Sequence, residues 1–311
     1  MTATHWIQLT LSTSDVHGEL VGTALTAAGA LAVTLHGGGD DEVLEPAPGA
    51  TPLWKQIRVV GLFAADVSVD AVVARVRAQT GHALIGEPRV STLADQAWER
   101  TCLADFQTMR FGARTWICPS WSETPPEPDA VIIRLDPGLA FGTGSHPTTA
   151  LCLEWLDAHP PVDRQVIDYG CGSGILGICA AHHGAARVWS VDHDHQALRA
   201  TNDNAAHNQV ADRIETRTAQ HAADIRGDVL LANILAAPLI ELAPRFATLL
   251  RPGGDIVLAG LLSAQTAAVI QAYRPWVALR AEHTRDDWVL LTGRRPLPGE
   301  RDNVVNSLTG K

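Results

Sequence analysis

Val166-Ile167-Asp168-Tyr169-Gly170-Cys171-Gly172-Ser173-Gly174 is a short apolar run that ends in an acid and then in three alternating glycines. With the apolar stretch Ile175 to Ala181 behind it, the pattern predicts a buried strand, a tight turn and a helix. The glycines permit the sharp turn and clear side chains from its main chain, and a new helix offers unpaired N–H groups to a ligand. The register Gly172, Gly174, Gly177 formally matches the dinucleotide fingerprint, so a nicotinamide or flavin cofactor is one reading. In dinucleotide folds, however, a pyrophosphate sits on the helix N-terminus, and a nearby acid would repel it. Asp168, two positions before Gly170, instead suits a cofactor with a cationic end.

Working outward, Arg187 to Val191 is a strand ending at Asp192, about 20 residues beyond the glycines. A carboxylate there can accept hydrogen bonds from both hydroxyls of a ribose. Asp228 to Ala232 runs as another strand into Asn233, at the carboxyl end where open α/β sheets bind ligands. Leu239 to Leu250 reads as a helix stopped by Gly253-Gly254. Asp255 to Ala259, Val277 to Arg280 and Trp288 to Thr292 read as later strands, with a helix over Ala264 to Ala272. Residues 296–311 form a loose tail. Upstream, Val131 to Leu135 is a strand leading into Asp136-Pro137-Gly138-Leu139-Ala140-Phe141-Gly142-Thr143-Gly144-Ser145-His146-Pro147-Thr148-Thr149. The Gly-Lys-Ser/Thr of a phosphate loop is missing from it. Thr148 and Thr149 precede the helical run Ala150 to Leu156, either as caps or as part of a loop folded over a cofactor. His182, His183, His193 and His195 lack metal-ligand spacing and read as solvent-exposed.

Residues 1–94 follow another plan. Strands over Trp6 to Leu11, Leu31 to Leu35, Ile57 to Phe63 and Ala83 to Val90 alternate with helical stretches from Asp15 to Gly29 and from Val69 to Arg77. Strand, helix, strand, strand, helix, strand is the order of a ferredoxin-like α+β domain. It holds no catalytic or metal-spaced constellation, so protein recognition is its expected work. Residues 95–130, with Trp98, Phe106, Phe111, Trp116 and Trp121 and the Pro125-Pro126-Glu127-Pro128 spacer, read as an aromatic and proline-rich connector. Residues 131–295 make the second domain.

Composition narrows the function classes. At 311 residues with 46% hydrophobic and 19% charged content, the chain has ample core, and no apolar run approaches a membrane span or secretory signal. A cytoplasmic protein is expected. Five cysteines without a C-x-x-C pair suggest neither a disulfide framework nor zinc. The net charge of −10 disfavours general nucleic-acid binding. Residues 1–129 carry 15 acidic and 8 basic side chains, which leaves ordinary solubility or recruitment of a basic protein as explanations.

Taken together, Leu139 to Thr149, Val166 to Gly174, Asp192 and Ala232-Asn233-Ile234-Leu235 resemble the bacterial ribosomal protein L11 methyltransferase family. The likeness extends to Met109-Arg110-Phe111-Gly112 and Trp116-Ile117-Cys118-Pro119-Ser120-Trp121, and so spans nearly the whole chain. It implies an α/β protein: a ferredoxin-like domain that grips ribosomal protein L11, then a seven-stranded Rossmann-like domain that binds S-adenosyl-L-methionine. It further implies methyl transfer to the N-terminal α-amino group and lysine ε-amino groups, leaving S-adenosyl-L-homocysteine. Matched to the family's positions, Thr149, Gly170, Asp192 and Asn233 contact the donor, joined by Asp168, Gly172, Phe141 and His146. Asn233 carries the catalytic role. No metal, membrane or sequence-specific nucleic acid is implied. His195, where a proline is common, and Gln209, where a glycine is common, depart from the pattern. An NAD(P)-dependent oxidoreductase and a non-catalytic nucleotide sensor are the alternatives.

Overall fold

A computed structural model of the chain describes residues 5–38, 54–81, 83–94, 107–123, 125–136 and 144–300. The chain divides into two compact units, Met1–Thr101 and Cys102–Lys311.

In the first unit, β1 (His5–Ser14), α1 (Gly18–Ala27), β2 (Ala32–Gly37), β3 (Gln56–Ala64), α2 (Val69–Thr80) and β4 (Leu84–Ala94) follow the expected order. The sheet runs β2-β3-β1-β4, and every neighbouring pair is antiparallel. Period-two alternation sends Leu9 and Leu11 of β1 and Ile57, Val59 and Phe63 of β3 into one core. Val21 and Leu25 of α1 and Val72 and Val76 of α2 cover that core. The first helix starts later than expected, because Asp15–His17 is a short 3₁₀ turn.

The second unit opens with a small sheet of β5 (Met109–Phe111), β6 (Thr115–Cys118) and β7 (Val131–Arg134), in which β6 pairs antiparallel with β5 and parallel with β7. Two short strands, β5 and β6, therefore lie within the expected connector, while residues 95–106 lie outside the described residues. Then come α3 (Pro147–Ala158), β8 (Gln165–Tyr169), α4 (Ile175–His182), β9 (Arg187–Asp192), α5 (His195–His207), β10 (Ile214–Thr218), β11 (Gly227–Asn233), α6 (Ala236–Leu249), β12 (Leu250–Leu262), α7 (Thr266–Tyr273), β13 (Ala278–Arg285) and β14 (Trp288–Arg294).

The seven-stranded sheet has the order β10-β9-β8-β11-β12-β14-β13. It is parallel except for β14, which runs antiparallel to both neighbours. Central strands buried on both faces read as continuous apolar runs, as Val166-Ile167 and Val229-Leu230-Leu231-Ala232 do. One face is covered by residues of α3, α4 and α5, and the other by residues of α6 and α7. The order reverses between β8 and β11, which creates the crevice used by ligands of such sheets. Among the described residues no helix is long and apolar enough to cross a membrane.

Two local expectations need correction. Gly253 and Gly254 do not stop a helix: α6 ends at Leu249 and both glycines lie within β12. Pairing with β11 and β14 overrides that local punctuation. His183 is buried, not exposed, and belongs to a closed network with Asp157 and Thr115. Asp157 accepts from the N–H groups of Ala113, Arg114 and Thr115 at 2.6, 3.0 and 2.9 Å, and from the Thr115 hydroxyl at 2.8 Å. With that hydroxyl donating to the carboxylate, His183 Nε2–H must donate to Thr115 Oγ1 at 2.7 Å, and Nδ1, 3.5 Å from an Arg114 guanidinium nitrogen that can only donate, is left as the acceptor of a neutral ring. Burial depresses the His183 pKa. Burial opposes ionisation of Asp157, yet its N–H and hydroxyl donors hold its carboxyl below the usual range.

Gln209 stands at a position whose backbone favours glycine. Val210 N donates to Ala205 O at 3.0 Å and Gln209 N to Ala206 O at 3.0 Å, a Schellman closure of α5 that puts Gln209 at φ 59°. Left-handed backbone costs a non-glycine residue about 1–2 kcal/mol, against about 0.5–1 kcal/mol of extra chain entropy lost by glycine. Gln209→Gly should therefore stabilise the protein by about 0.5–1 kcal/mol and raise the midpoint of thermal unfolding by roughly 2 °C. An unchanged or lowered midpoint in calorimetry would refute the strain.

Candidate functional site

The glycine turn after β8 folds back on β9: Gly170 N and Cys171 N both donate to Val191 O, at 2.7 and 3.1 Å. Gly170, Gly172 and Gly174 all adopt left-handed φ, at 78°, 54° and 81°. Glycine is the residue that takes such angles at little cost.

Two carboxylates hold the turn. Asp192, at the end of β9, accepts from Gly172 N at 3.1 Å through Oδ2 and from Asp194 N at 3.0 Å through Oδ1. It is 8% exposed, and a carboxylate has about four lone-pair sites, so each oxygen retains capacity for a hydroxyl donor. Asp168 is 1% exposed and accepts from Gly177 N at 2.9 Å. Burial pushes its pKa up to about 7, the Gly177 N–H pulls it down, and the Asp192 charge pushes it up again.

The outer side of the turn is braced by α5. Thr201 Oγ1 donates to Gly172 O at 3.1 Å, and Asn204 Nδ2 to Ser173 O at 2.8 Å. Asn208 Nδ2 and Oδ1 bond Arg134 O and N, each at 2.7 Å, so the amide reproduces a strand pairing for β7. The available signal was spacing: Thr201, Asn204 and Asn208 recur at i, i+3 and i+7 on one helical face.

Asn233 ends β11. Because Tyr169 pairs with Ala232, the glycine turn and Asn233 leave the sheet side by side. Asn233 Nδ2 donates to Thr149 Oγ1 at 3.2 Å. Its nitrogen thus engaged, the amide oxygen is the group available to accept a hydrogen bond from a ligand. Thr149 is not a cap, and neither is Thr148: both lie in the first turn of α3 with their side chains buried. The cap is His146, whose Nδ1 accepts from Thr148 N at 3.3 Å and lies 2.7 Å from Thr148 Oγ1. Its ring also meets Trp288 edge-on, with centroids 4.9 Å apart. Phe141 lies outside the described residues. The structure thus brings Thr149 to Asn233 and Asp192 to Gly172, and sets Asp168 beneath the turn.

The cradle suits a nucleoside with a cationic substituent. Its floor is glycine main chain, one acid can take ribose hydroxyls, and a second acid lies below. A methyl group on Gly170 or Gly174 would come within 2.3 Å or 2.8 Å of Ile234 or Thr201 side-chain atoms.

A family model described as ribosomal protein L11 methyltransferase (PrmA) matches residues 5–296. Ribosomal protein L11 methyltransferases of Marinobacter nauticus and Methylococcus capsulatus are similar, at 48% identity over 295 residues and 49% over 291. Each alignment covers 93% of this chain, and 98% and 99% of those proteins. A crystal structure of ribosomal protein L11 methylase from Lactobacillus delbrueckii subsp. bulgaricus is 31% identical, with a TM-score of 0.57, over 61% of this chain and 100% of that one.

The Asp168 carboxyl makes a pH-dependent prediction. Its folded pKa, about 7, lies above the ordinary 3.8, so the unfolded chain ionises first and stability falls as pH rises between those values. Asp168→Asn should escape this loss. Its melting temperature relative to wild type should therefore climb between pH 5 and pH 8 by roughly 2 °C or more, as read by calorimetry. A pH-independent difference would mean that Asp168 ionises as readily folded as unfolded.

Proposed function

The chain belongs to the ribosomal protein L11 methyltransferase family, and from that premise we propose how its residues serve methyl transfer from S-adenosyl-L-methionine to ribosomal protein L11. When bound, the donor supplies an electrophilic methyl carbon on a sulfonium sulfur. The acceptors are the N-terminal α-amino group and lysine ε-amino groups. Transfer is an in-line displacement in which the nitrogen–carbon bond forms as the sulfur–carbon bond breaks, so alignment and electrostatics dominate over acid–base chemistry.

The observation that carries the proposal is the Asn233–Thr149 hydrogen bond beside the glycine turn. Thr149 fixes the amide nitrogen, and the amide oxygen accepts a hydrogen bond from the neutral amine, which turns the amine lone pair toward the methyl carbon. The amine arrives neutral after losing its proton to water, from a reference pKa of about 10.4 for lysine or about 8 for an α-amine. Asp192 takes the ribose hydroxyls. The main chain of Gly170 and Gly172 lies along the donor, and Asp168 faces its positive charge from below. By match to the family's positions, His146 and Phe141 also contact it. Residues 1–94 recruit ribosomal protein L11, residues 95–130 connect, and residues 131–295 bind the donor and catalyse. The place of work is the cytoplasm.

Two substitutions test these roles. Charged hydrogen bonds are worth about 1.5–3 kcal/mol each, so Asp192→Ala should weaken donor binding by at least about tenfold with the fold intact. Unchanged affinity in calorimetry would remove Asp192 from the site. Asn233→Ala should lower kcat by ~10²-fold or more at saturating donor, without rescue at high pH, because it removes orientation and not a base. Mass spectrometry of ribosomal protein L11 across pH 7 to 10 measures this, and near-normal turnover or recovery at high pH would overturn it.

A further inference from the structure

Ile234, the residue after the amide, is gripped by two glycines, one in the turn after β8 and one in β12. A methyl group on Gly170 would lie 2.3 Å from Ile234 Cγ2. One on Gly260 would lie 2.3 Å from the Ile234 carbonyl oxygen, 2.7 Å from its carbonyl carbon and 3.0 Å from its nitrogen. These separations are closer than nonbonded atoms tolerate, so both positions exclude a side chain on account of one neighbour. Both also sit at left-handed φ, 78° and 87°. Gly260 directly follows Ala259, the partner of Asn233 in the β11–β12 ladder, at a register shift between Leu258 and Leu261 in the pairing of β12 with β14. Such irregularities bend a strand and re-aim what it carries. On the far side, Leu235 O accepts from Leu239 N and starts α6.

We propose that Ile234 is a positioning residue that locks the donor turn to the amide turn, its side chain filling the space left by Gly170 and its main chain seated on Gly260. The proposal rests on the roles given above to Gly170 and Asn233 and explains how their relative placement is fixed. Among the described residues the Asn233 side chain has one hydrogen bond, to Thr149, and an amide held only there is free to swing about it. A displacement of about 1 Å at a reacting group can cost ~10²-fold in rate, so a rigid anchor at the next residue matters to catalysis. The two glycines act differently. Gly170 meets the Ile234 side chain, which can be altered, whereas Gly260 meets its main chain, which cannot.

That asymmetry supplies the test, made in the full-length protein with S-adenosyl-L-homocysteine binding by calorimetry and kcat on ribosomal protein L11. Gly170→Ala should weaken binding by at least about tenfold. Ile234→Leu removes Cγ2 while conserving volume, and in the Gly170→Ala background it should restore binding by at least about threefold. Ile234→Val keeps Cγ2 and should restore nothing. If Gly170→Ala does not fold, recovery of folded protein by Ile234→Leu and not by Ile234→Val gives the same answer. Gly260→Ala should lower kcat by at least about tenfold with binding changed less than about threefold, and neither change at Ile234 should relieve it. Equal behaviour of the leucine and valine variants, or relief of Gly260→Ala by either, overturns the lock. The binding rescue does not depend on Asn233 acting in alignment, so near-normal turnover of Asn233→Ala would remove that role and leave the lock to be judged by binding alone.

Discussion

The hydrogen bond from Asn233 Nδ2 to Thr149 Oγ1, 3.2 Å long, joins the end of a sheet strand to the first turn of a helix 84 residues earlier in the chain. Its net worth is about 1 kcal/mol, far too little to hold those two elements together. The bond therefore depends on geometry set elsewhere. The parallel ladder pairing Tyr169 with Ala232 places the amide beside the glycine turn, and the His146 cap starts α3 where Thr149 faces it. This contact is an outcome of register, capping and close packing.

The same economy governs the glycine turn. Three alternating left-handed glycines would be unstable in isolation, yet here the turn is tied on three sides. Val191 O receives two of its N–H groups, Asp192 a third, and α5 reaches its carbonyls through Thr201 and Asn204. A turn held this way has already lost the freedom that a ligand would otherwise have to remove on binding. The residues doing this are short and polar, with few rotamers to immobilise.

The parts of this arrangement that sequence discloses are those with local causes. Alternating glycines after Val166-Ile167, acids at the ends of β8 and β9, and an amide closing an apolar strand follow from backbone sterics and strand periodicity. So does the first unit, whose alternation assigns the core faces of β1 and β3 correctly. What stayed hidden depends on partners distant in the chain. Asp157 looks like any acid near a helix end until its carboxyl closes around the Ala113–Thr115 main chain. Thr148 and Thr149 look like caps because nothing local says that His146 takes that place. Gly253 and Gly254 look like a helix stop because pairing with β11 and β14 is invisible in the segment. Gly260 lies just past the strand read over Asp255 to Ala259, and only the approach of Ile234 explains it.

Charge gives the site its direction. Asp168 and Asp192 face the same turn, and burial with the Asp192 charge raises the Asp168 pKa to about 7. A cation above the turn favours the ionised form of Asp168, so in the proposed reading donor binding releases a proton and strengthens as pH rises toward 7. The product lacks the sulfonium charge and gains less from that carboxylate, which favours exchange of product for donor. The acceptor amine must likewise shed a proton before it can attack, from about 8 or about 10.4. Both requirements act in the same sense with pH, and neither calls for a protonated side chain. An acid limb in the pH dependence without a matching alkaline fall follows from chemistry that needs alignment and ionised carboxylates but no general acid.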